Sequence, residues 1–195
     1  MAIIGIHLFD GVEELDAVGP WEVLSCWTRR WSADGWRAIT FSRLGEEVVA
    51  ANGLRMRPDC DWSTVPPLDV VVHPGGPGVW DQLHDPVQLN WVRRQAAGGA
   101  LMTSVCTGSL LFAAAGILAG RPATTYWDSL DTLAELDPSI DVRPAERWVD
   151  AGSVITASGV SAGIDMALHL VRRLAGVERA RQVRQAIQYD PAPPV

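Results

Sequence analysis

A single cysteine stands among small residues in the segment 105–109 (VCTGS), where an apolar run over 100–105 meets a helix-like run over 109–114. Such a strand-to-helix corner is tight, so small residues are expected two positions before and after a nucleophile, and Ser104 and Gly108 stand there. The amide dipoles of a helix's first turn also favour a thiolate. We therefore predict that Cys106 is a nucleophile; the alternative is an inert, buried cysteine that packs as a small hydrophobic residue.

Two further segments carry groups that suit chemistry. Asp16 follows the first apolar strand in an acidic loop, and a glycine-rich loop with Gly75 and Gly76 follows the apolar run 70–72. The carboxyl ends of parallel strands meet at one edge of a sheet, so we expect both segments to lie near Cys106. The glycine loop matches neither common nucleotide-binding pattern. Its N–H groups are candidate donors to a developing anion, and the alternative is a simple turn at a crowded strand end.

The composition limits the class of protein. The 195 residues are 48% hydrophobic, which suits one domain over 1–195 with an ample core. The net charge of −7, with no basic run longer than two arginines, disfavours binding to nucleic acid or an anionic membrane. No apolar stretch reaches the roughly 18 residues that span a bilayer, and no basic leader is present, so we expect a soluble, cytoplasmic protein. The three cysteines show neither a disulfide framework nor zinc spacing, so no metal is expected.

Strand-like and helix-like patterns alternate along the chain, which predicts an α/β fold with a mostly parallel central sheet and helices on both faces. The first helix is expected to begin at Pro20, because proline suits the first turn, and to end before 33–35. The other predicted helices cover 86–97, 109–114, 162–174 and 177–187. The predicted strands cover 3–8, 36–41, 70–72, 100–105 and 123–125, and two predicted hairpins join 48–50 to 54–57 and 148–149 to 154–156.

Five segments, in this order, resemble the ThiJ/PfpI superfamily of class I glutamine amidotransferase-like proteins. They are 16–20 (DAVGP), 74–78 (PGGPG), 105–109 (VCTGS) with 116–118 (GIL), 121–125 (RPATT) and 161–165 (SAGID). Within the superfamily the sequence is most similar to isocyanide hydratases, including the tail 189–194 (YDPAPP). Regulators with a similar domain usually append a C-terminal DNA-binding module, and this sequence ends at Val195 without one, so no nucleic-acid partner is expected.

The resemblance implies a flavodoxin-like α/β sandwich, a homodimer, and a site in which Cys106 is the nucleophile with Asp16 beside it. The implied reaction adds the thiolate to the electrophilic carbon of an isocyanide, giving a thioimidate, and then adds water to release an N-substituted formamide. Asp16 would supply and take up protons, Thr107 would hydrogen-bond Asp16 or the incoming group, and N–H groups near Gly76 and Thr107 would stabilise charge. This small-molecule chemistry needs no cofactor. The alternative for Asp16 is a cap on the helix expected at Pro20.

Two positions depart from relatives that place a histidine near the cysteine. Thr107 stands directly after Cys106, where hydrolytic relatives often have histidine, so a Cys-His pair of adjacent residues is excluded. Tyr126 stands where many members of this branch have histidine; tyrosine is not a cation near pH 7, so substrate choice is open, and packing beneath the site is the alternative. His73, at the strand end that enters the glycine loop, is a candidate pocket residue, with a packing or hydrogen-bonding role as the alternative.

Three tryptophans follow the three site segments, which makes Trp21, Trp80 and Trp127 candidates for lining an apolar pocket; core packing is the alternative for each. Two other functions also remain open. A hydrolase or glyoxalase-like enzyme would act on another small electrophile, and a non-catalytic sensor or binding module would have Cys106 oxidised or lining a ligand pocket. Production of formamide distinguishes the hydratase from both alternatives.

Overall fold

The computed structural model describes residues 1–190, so the last part of the tail segment singled out in the sequence, from 191 onward, lies outside the described residues. The helices and strands follow in the order β1 (Ala2–His7), α1 (Glu14–Arg30), β2 (Trp36–Ser42), β3 (Val48–Val49), β4 (Arg55–Met56), β5 (Cys60–Asp61), β6 (Val70–His73), α2 (Val79–Gln82), α3 (Pro86–Ala97), β7 (Leu101–Val105), α4 (Gly108–Ala114), β8 (Pro122–Ala123), α5 (Leu130–Leu136), β9 (Asp141–Val142), β10 (Trp148–Asp150), β11 (Val154–Ala157), α6 (Ala162–Ala175) and α7 (Val177–Ala186). Within residues 1–190, no helix is both long and apolar enough to cross a membrane.

In the described residues, seven strands form the central sheet in the order β10-β11-β7-β6-β1-β2-β5. Every neighbouring pair is parallel except β10 and β11, which form a predicted antiparallel hairpin. Val70, Val71 and Val72 in β6 are all buried, as a central parallel strand covered on both faces requires. Helices α1, α6 and α7 pack on one face, and α3, α4 and α5 pack on the other. The predicted α/β architecture is confirmed.

The first helix begins at Glu14, so the predicted start at Pro20 is wrong. Pro20 lies inside α1, where it has no N–H to donate to the carbonyl of Asp16. The helix continues through it because this part of α1 is buried against α6. An added Cβ on Gly163 of α6 would lie 3.3 Å from Pro20 Cδ, so the two helices approach closely at this point. The early start places Asp16 in the first turn of α1.

Two small two-stranded sheets accompany the central one in the described chain. Strands β3 and β4 form the second predicted hairpin, with Gly53 at a φ of +96° in its turn. The predicted strand over 123–125 is shorter, because β8 ends at Ala123 and pairs with β9 in a separate sheet. Thr125, beyond the end of β8, donates its Oγ1 hydrogen to the carbonyl of Cys106 over 3.0 Å. This hydrogen bond from the segment after β8 therefore stabilises the corner that carries the cysteine.

Candidate active site

Cys106 lies on the corner between β7 and α4, with a φ of 57° in the left-handed region. This conformation costs a residue with a Cβ about 1–2 kcal/mol, so the surroundings must hold it in place. The Cys106 N–H points to the carbonyl oxygens of Ala157 and Ser158, at 3.2 and 3.1 Å. An added Cβ on Gly108 would lie 2.4 Å from the carbonyl oxygen of His73, so only glycine fits there. The predicted elbow with small neighbours is confirmed.

Asp16 reaches this elbow from the first turn of α1, with its side chain fully buried. Its Oδ2 accepts a hydrogen bond from the Gly75 N–H over 2.9 Å. The carboxyl lies close enough to the thiol of Cys106 for each group to shift the pKa of the other, and Oδ1 has no hydrogen-bond partner within residues 1–190. The N-cap of α1 is Glu13, and the Asp16 carboxyl bonds a different segment, so the capping alternative for Asp16 is wrong. The structure brings Asp16 and Cys106 together.

Burial controls the protonation of Asp16. It raises the pKa of the carboxyl from 3.8 to about 7, the N–H of Gly75 lowers that pKa, and the negative charge of Glu13 raises it further. Loss of water around a carboxylate outweighs one backbone donor, because that donor replaces only part of the hydration. Near pH 7 the Asp16 carboxyl therefore exists in both protonation states.

Burial also raises the pKa of the Cys106 thiol to about 12, and the charge of the Asp16 carboxylate adds to this rise. The backbone N–H groups of Thr107 and Val160 act in the opposite direction. The sequence predicted that the dipole of the first helical turn favours the thiolate, whereas the surroundings of Cys106 in the fold raise the pKa of the thiol. Burial and a neighbouring carboxylate outweigh the dipole of α4, so the sulfur keeps its proton near pH 7.

The glycine loop holds the other two segments through its backbone. Gly75 donates its N–H to Asp16, and Gly76 donates its N–H to Thr107 Oγ1 over 2.9 Å. At Gly76, with a φ of +122°, an added Cβ would lie 2.3 Å from the nitrogen of Glu13, so only glycine permits this approach. The Thr107 hydroxyl thus bonds Gly76 and not Asp16. Both loop N–H groups that were expected to face a developing anion are already engaged, and they position the side chains of Asp16 and Thr107.

Val160 contributes a backbone donor that the sequence did not indicate. Its φ is 49°, which a β-branched residue rarely adopts. Its backbone N–H lowers the pKa of both Asp16 and Cys106. A backbone donor leaves no trace in residue type, so the available cue was the run of small residues at 157–159 directly after a strand.

Tyr126 packs against the segment that precedes Val160. An added Cβ on Gly159 would lie 2.4 Å from Tyr126 Cδ2, so the missing side chain at Gly159 makes room for the ring. The Tyr126 ring also contacts the core cluster that contains Cys106. Trp127 behaves differently: it is 70% exposed, with its ring centroid 5.6 Å from that of Tyr126. Of these two predicted pocket residues, Tyr126 is the one packed against the elbow's surroundings.

Trp21 and Trp80, the other predicted pocket residues, lie elsewhere. Trp21 lines a cavity of about 580 Å³ between α1 and β2, and the side chains of Asp16 and Cys106 do not border this cavity. The guanidinium of Arg29 lies 5.8 Å from the centroid of the Trp21 ring. Trp80 stands on α2 and is 47% exposed. The structure therefore brings Trp21 to a separate cavity and Trp80 to the surface.

His73 points to the face of the sheet opposite Cys106. Side chains alternate along β6, and Val72 belongs to the same core cluster as Cys106. The His73 side chain projects to the other face, where its ring centroid lies 6.1 Å from that of Phe112. It is fully buried, and its Nε2 lies 3.0 Å from Nδ1 of His7. The structure does not bring the imidazole of His73 to the sulfur.

A buried cysteine on a strained strand-to-helix corner, with a carboxyl from the first helix beside it, defines a class of α/β proteins that carry a cysteine elbow. The chain belongs to the DJ-1/PfpI family, whose model matches residues 3–173. The superfamily and the flavodoxin-like fold predicted from the sequence motifs are therefore confirmed.

Three similar proteins indicate the range of functions in this family. The isonitrile hydratase of Pseudomonas putida is 39% identical over 191 residues, which cover 98% of this chain and 80% of that protein. The HTH-type transcriptional regulator GbdR of Pseudomonas aeruginosa is 28% identical, and the match covers 96% of this chain and 50% of the regulator. The crystal structure of a ThiJ/PfpI family protein from Pseudomonas syringae superposes with a TM-score of 0.85 at 30% identity, covering 100% of this chain and 77% of that one.

Proposed function

We propose that this protein is an isocyanide hydratase, which adds water to a small isocyanide to give an N-substituted formamide. The observation that carries the proposal is the buried pair of Asp16 and Cys106, in which a cysteine on a strained strand-to-helix corner lies beside a carboxyl from the first turn of α1. Hydration of an isocyanide needs a nucleophile for the terminal carbon and a proton for the same carbon. The pair holds both. The 39% identity to the isonitrile hydratase of Pseudomonas putida supports the same assignment.

In the first half of the reaction, the carboxylate of Asp16 takes the thiol proton while the Cys106 sulfur bonds to the isocyanide carbon. The same proton then passes from the Asp16 carboxyl to that carbon, which leaves a neutral thioimidate. Asp16 is suited to both transfers because its pKa is about 7, so neither protonation state is strongly favoured at neutral pH. Substrate and thioimidate are uncharged, which fits a pair with little access to water.

In the second half, Asp16 takes a proton from water as the water oxygen bonds to the thioimidate carbon, and Asp16 then gives this proton to the nitrogen. The carbon–sulfur bond then breaks, the carbonyl of the formamide forms, and the remaining proton returns to sulfur. The N–H groups of Thr107 and Val160 lower the pKa of the thiol, which means that they stabilise the sulfur anion as it leaves. Thr107 therefore acts through its backbone, while its hydroxyl holds Gly76.

The limited exposure of the sulfur also supports this substrate class. Cys106 is 5% exposed, so only a small part of its surface is accessible to a reacting atom. The terminal carbon of an isocyanide carries no substituent besides its nitrogen and lies on a linear axis, so it can approach end-on. Tyr126 packs against Gly159 and against the core cluster that contains Cys106, and we propose that its ring limits the size of the group on the isocyanide nitrogen.

Other chemistry fits this site less well. A hydrolase that attacks a carbonyl must stabilise an oxyanion, and the N–H groups of Gly75 and Gly76 are engaged with Asp16 and Thr107. Addition to an isocyanide generates no oxyanion in its first half.

A sensor that oxidises Cys106 depends on the thiolate, and a thiol pKa of about 12 leaves little thiolate at neutral pH.

The test is the formation of formamide from one aryl and one alkyl isocyanide. Wild type should produce it, and Cys106→Ala should not. Cys60→Ala is the matched control, because Cys60 is a partly buried thiol on β5, and this variant should retain activity. Activity of Cys106→Ala within a few fold of wild type would refute the nucleophile assignment. Consumption of methylglyoxal by a wild-type protein that forms no formamide would favour the glyoxalase-like alternative.

The assembly and location complete the proposal: one domain over residues 1–195, a homodimer, and a cytoplasmic enzyme without a nucleic-acid or membrane partner. Three free cysteines suit a reducing compartment, and a net charge of −7 opposes binding to polyanions. The homodimer is supported by exposed apolar side chains on α1 and on the β3–β4 hairpin. These two elements are adjacent, because Asn52 of the hairpin donates a hydrogen bond to Glu14 of α1 over 2.8 Å. These side chains are Leu15, Val18, Val49 and Leu54. Val18→Glu should yield a monomer in light scattering, and an unchanged dimer would place the interface elsewhere.

A further inference from the structure

Two histidines on neighbouring strands form a buried pair behind the glycine loop. His7 ends β1 and His73 ends β6, and these strands pair in parallel. Their imidazoles are 1% and 0% exposed, and His7 Nδ1 lies 3.0 Å from His73 Nε2. His73 Nδ1 lies 2.9 Å from the carbonyl oxygen of Pro74, and the amide nitrogen of Gln88 lies 3.3 Å from His73 Nε2.

The partners fix the direction of each hydrogen bond. A carbonyl oxygen only accepts, so Nδ1 of His73 carries a hydrogen and donates it to Pro74. Burial lowers the pKa of His73 to about 4 and that of His7 well below its ordinary value, so both rings are neutral near pH 7. His73 Nε2 is then a bare acceptor, and His7 Nδ1 must donate to it. Donors therefore point in one direction, from His7 to His73 to Pro74.

This chain of donors ends at the catalytic carboxyl, because the Pro74 carbonyl and the Gly75 N–H belong to one peptide unit. The oxygen of that unit accepts from His73, and its nitrogen donates to Asp16 Oδ2 over 2.9 Å. A bond accepted at the oxygen strengthens the bond donated at the nitrogen, since both polarise the peptide in the same sense. We propose that His7 and His73 are positioning residues that orient and polarise the 74–75 peptide and thereby hold Asp16 in place beside Cys106.

Packing alone does not explain these histidines. The pair is surrounded by aromatic rings, among them Phe41 and Trp91, whose centroids lie 5.1 and 5.7 Å from that of His7. An apolar side chain would suit such surroundings better, since His7 Nε2 is buried without a hydrogen-bond partner in the described part of the chain. An apolar residue at position 73, however, would have no N–H to donate to the carbonyl oxygen of Pro74.

The inference rests on the proposed function in treating Asp16 as the proton carrier, but its test does not need an isocyanide. The rate of Cys106 alkylation by iodoacetamide is measured against pH on the intact protein. The alkylation rate should rise as Asp16 ionises and becomes a base for the thiol, with a midpoint at about pH 7 that is absent in Asp16→Asn. The other titratable groups that act on Asp16 are Glu13 and Cys106. The substitutions at His7 and His73 that are described next change neither of them.

His73→Leu removes the donor to Pro74, which weakens the Gly75 bond that lowers the Asp16 pKa, so the midpoint should move up by about 0.5–1 pH unit. At pH 7 a shift of one unit would lower kcat about fivefold, through the fraction of carboxylate, with KM little changed. His73→Asn keeps an N–H near the place of Nδ1 and should restore the midpoint. His7→Leu should give a smaller shift of the same sign.

His84→Leu is the matched control, because His84 is exposed and is not part of the chain of donors from His7 to Pro74. This variant should keep the wild-type midpoint. The inference is overturned when folded His73→Leu and His7→Leu, checked by circular dichroism, both keep the wild-type midpoint. If His73→Leu does not fold, His7→Leu and His73→Asn decide the outcome in the same way, because the first must shift the midpoint and the second must not. Absence of formamide from the wild type would refute the hydratase and leave this test intact.

Discussion

The substitution Asp16→Asn should stabilise the folded protein at neutral and alkaline pH. In the folded state burial raises the pKa of Asp16 from 3.8 to about 7. The unfolded chain therefore loses this proton at about pH 4, whereas the folded protein keeps it until about pH 7. Between these values the folded state binds more protons than the unfolded state, so the contribution of Asp16 to stability falls as the pH rises. Asparagine does not titrate, so the unfolding free energy of the variant does not fall in this pH range.

The magnitude follows from the shift. A rise of about three pKa units corresponds to about 4 kcal/mol of unfolding free energy. Asparagine keeps an acceptor for the Gly75 N–H, so little of this gain should be lost. Urea unfolding of both proteins at about pH 4, 6 and 8 should give a difference close to zero at the lowest pH and about 4 kcal/mol in favour of the variant at the highest. Cys106 does not disturb this window, because its pKa is about 12.

The pH dependence separates this explanation from a change in packing. A difference that stays constant across the three pH values would refute the reasoning, as would a variant that is less stable than wild type at the highest pH. Asp131→Asn, exposed on α5, is the matched control, and its stability should follow the wild-type curve. Asp16→Asn should also form no formamide, since an amide cannot carry the proton, so stability is gained where activity is lost.

Three further predictions concern the same site. The kcat for formamide should rise with pH to a plateau above about pH 7, because the carboxylate of Asp16 must accept the thiol proton; a flat profile would remove Asp16 from the proton path. Thr107→Ala should cost about 1–2 kcal/mol in urea unfolding, because the Gly76 N–H loses its acceptor, and Thr107→Ser should unfold like wild type. Gly108→Ala should cost about 1–3 kcal/mol, seen as a lower melting temperature, because its Cβ would lie 2.4 Å from the His73 carbonyl oxygen; an unchanged melting temperature would contradict the crowding of the elbow.

The sheet could be predicted because its strands have strong local patterns. The run 70–72 is continuously apolar, which is typical of a strand buried on both faces, and it forms the middle of the sheet. The start of α1 could not be predicted in the same way. Pro20 is favoured in a first turn, and the acidic residues Glu14 and Asp16, which also suit a first turn, were interpreted as part of a loop. Packing against α6 decides this, through contacts such as Gly163 with Pro20, which are distant in sequence.

The candidate site was predictable where it depends on strand ends. Cys106 follows β7 and Asp16 follows β1, and parallel strands bring such segments to one edge. Its protonation was not predictable, because the pKa of each group depends on burial that only the folded chain creates. The N–H of Val160 was missed because backbone donors carry no residue signature. His73 was recognised as unusual, but which face of the sheet it takes depends on where β6 begins and ends.

The resting protonation of the pair suits the stoichiometry of addition to an isocyanide. The terminal carbon gains both sulfur and hydrogen, so the proton on Cys106 is a reactant and not a by-product. With a thiol pKa of about 12 and a carboxyl pKa of about 7, the proton resides on sulfur, and the carboxylate of Asp16 can accept it. The same state slows oxidation, because peroxide reacts with the thiolate. Burial of Asp16 with Cys106 therefore favours addition of the thiol to an isocyanide and opposes oxidation of the sulfur.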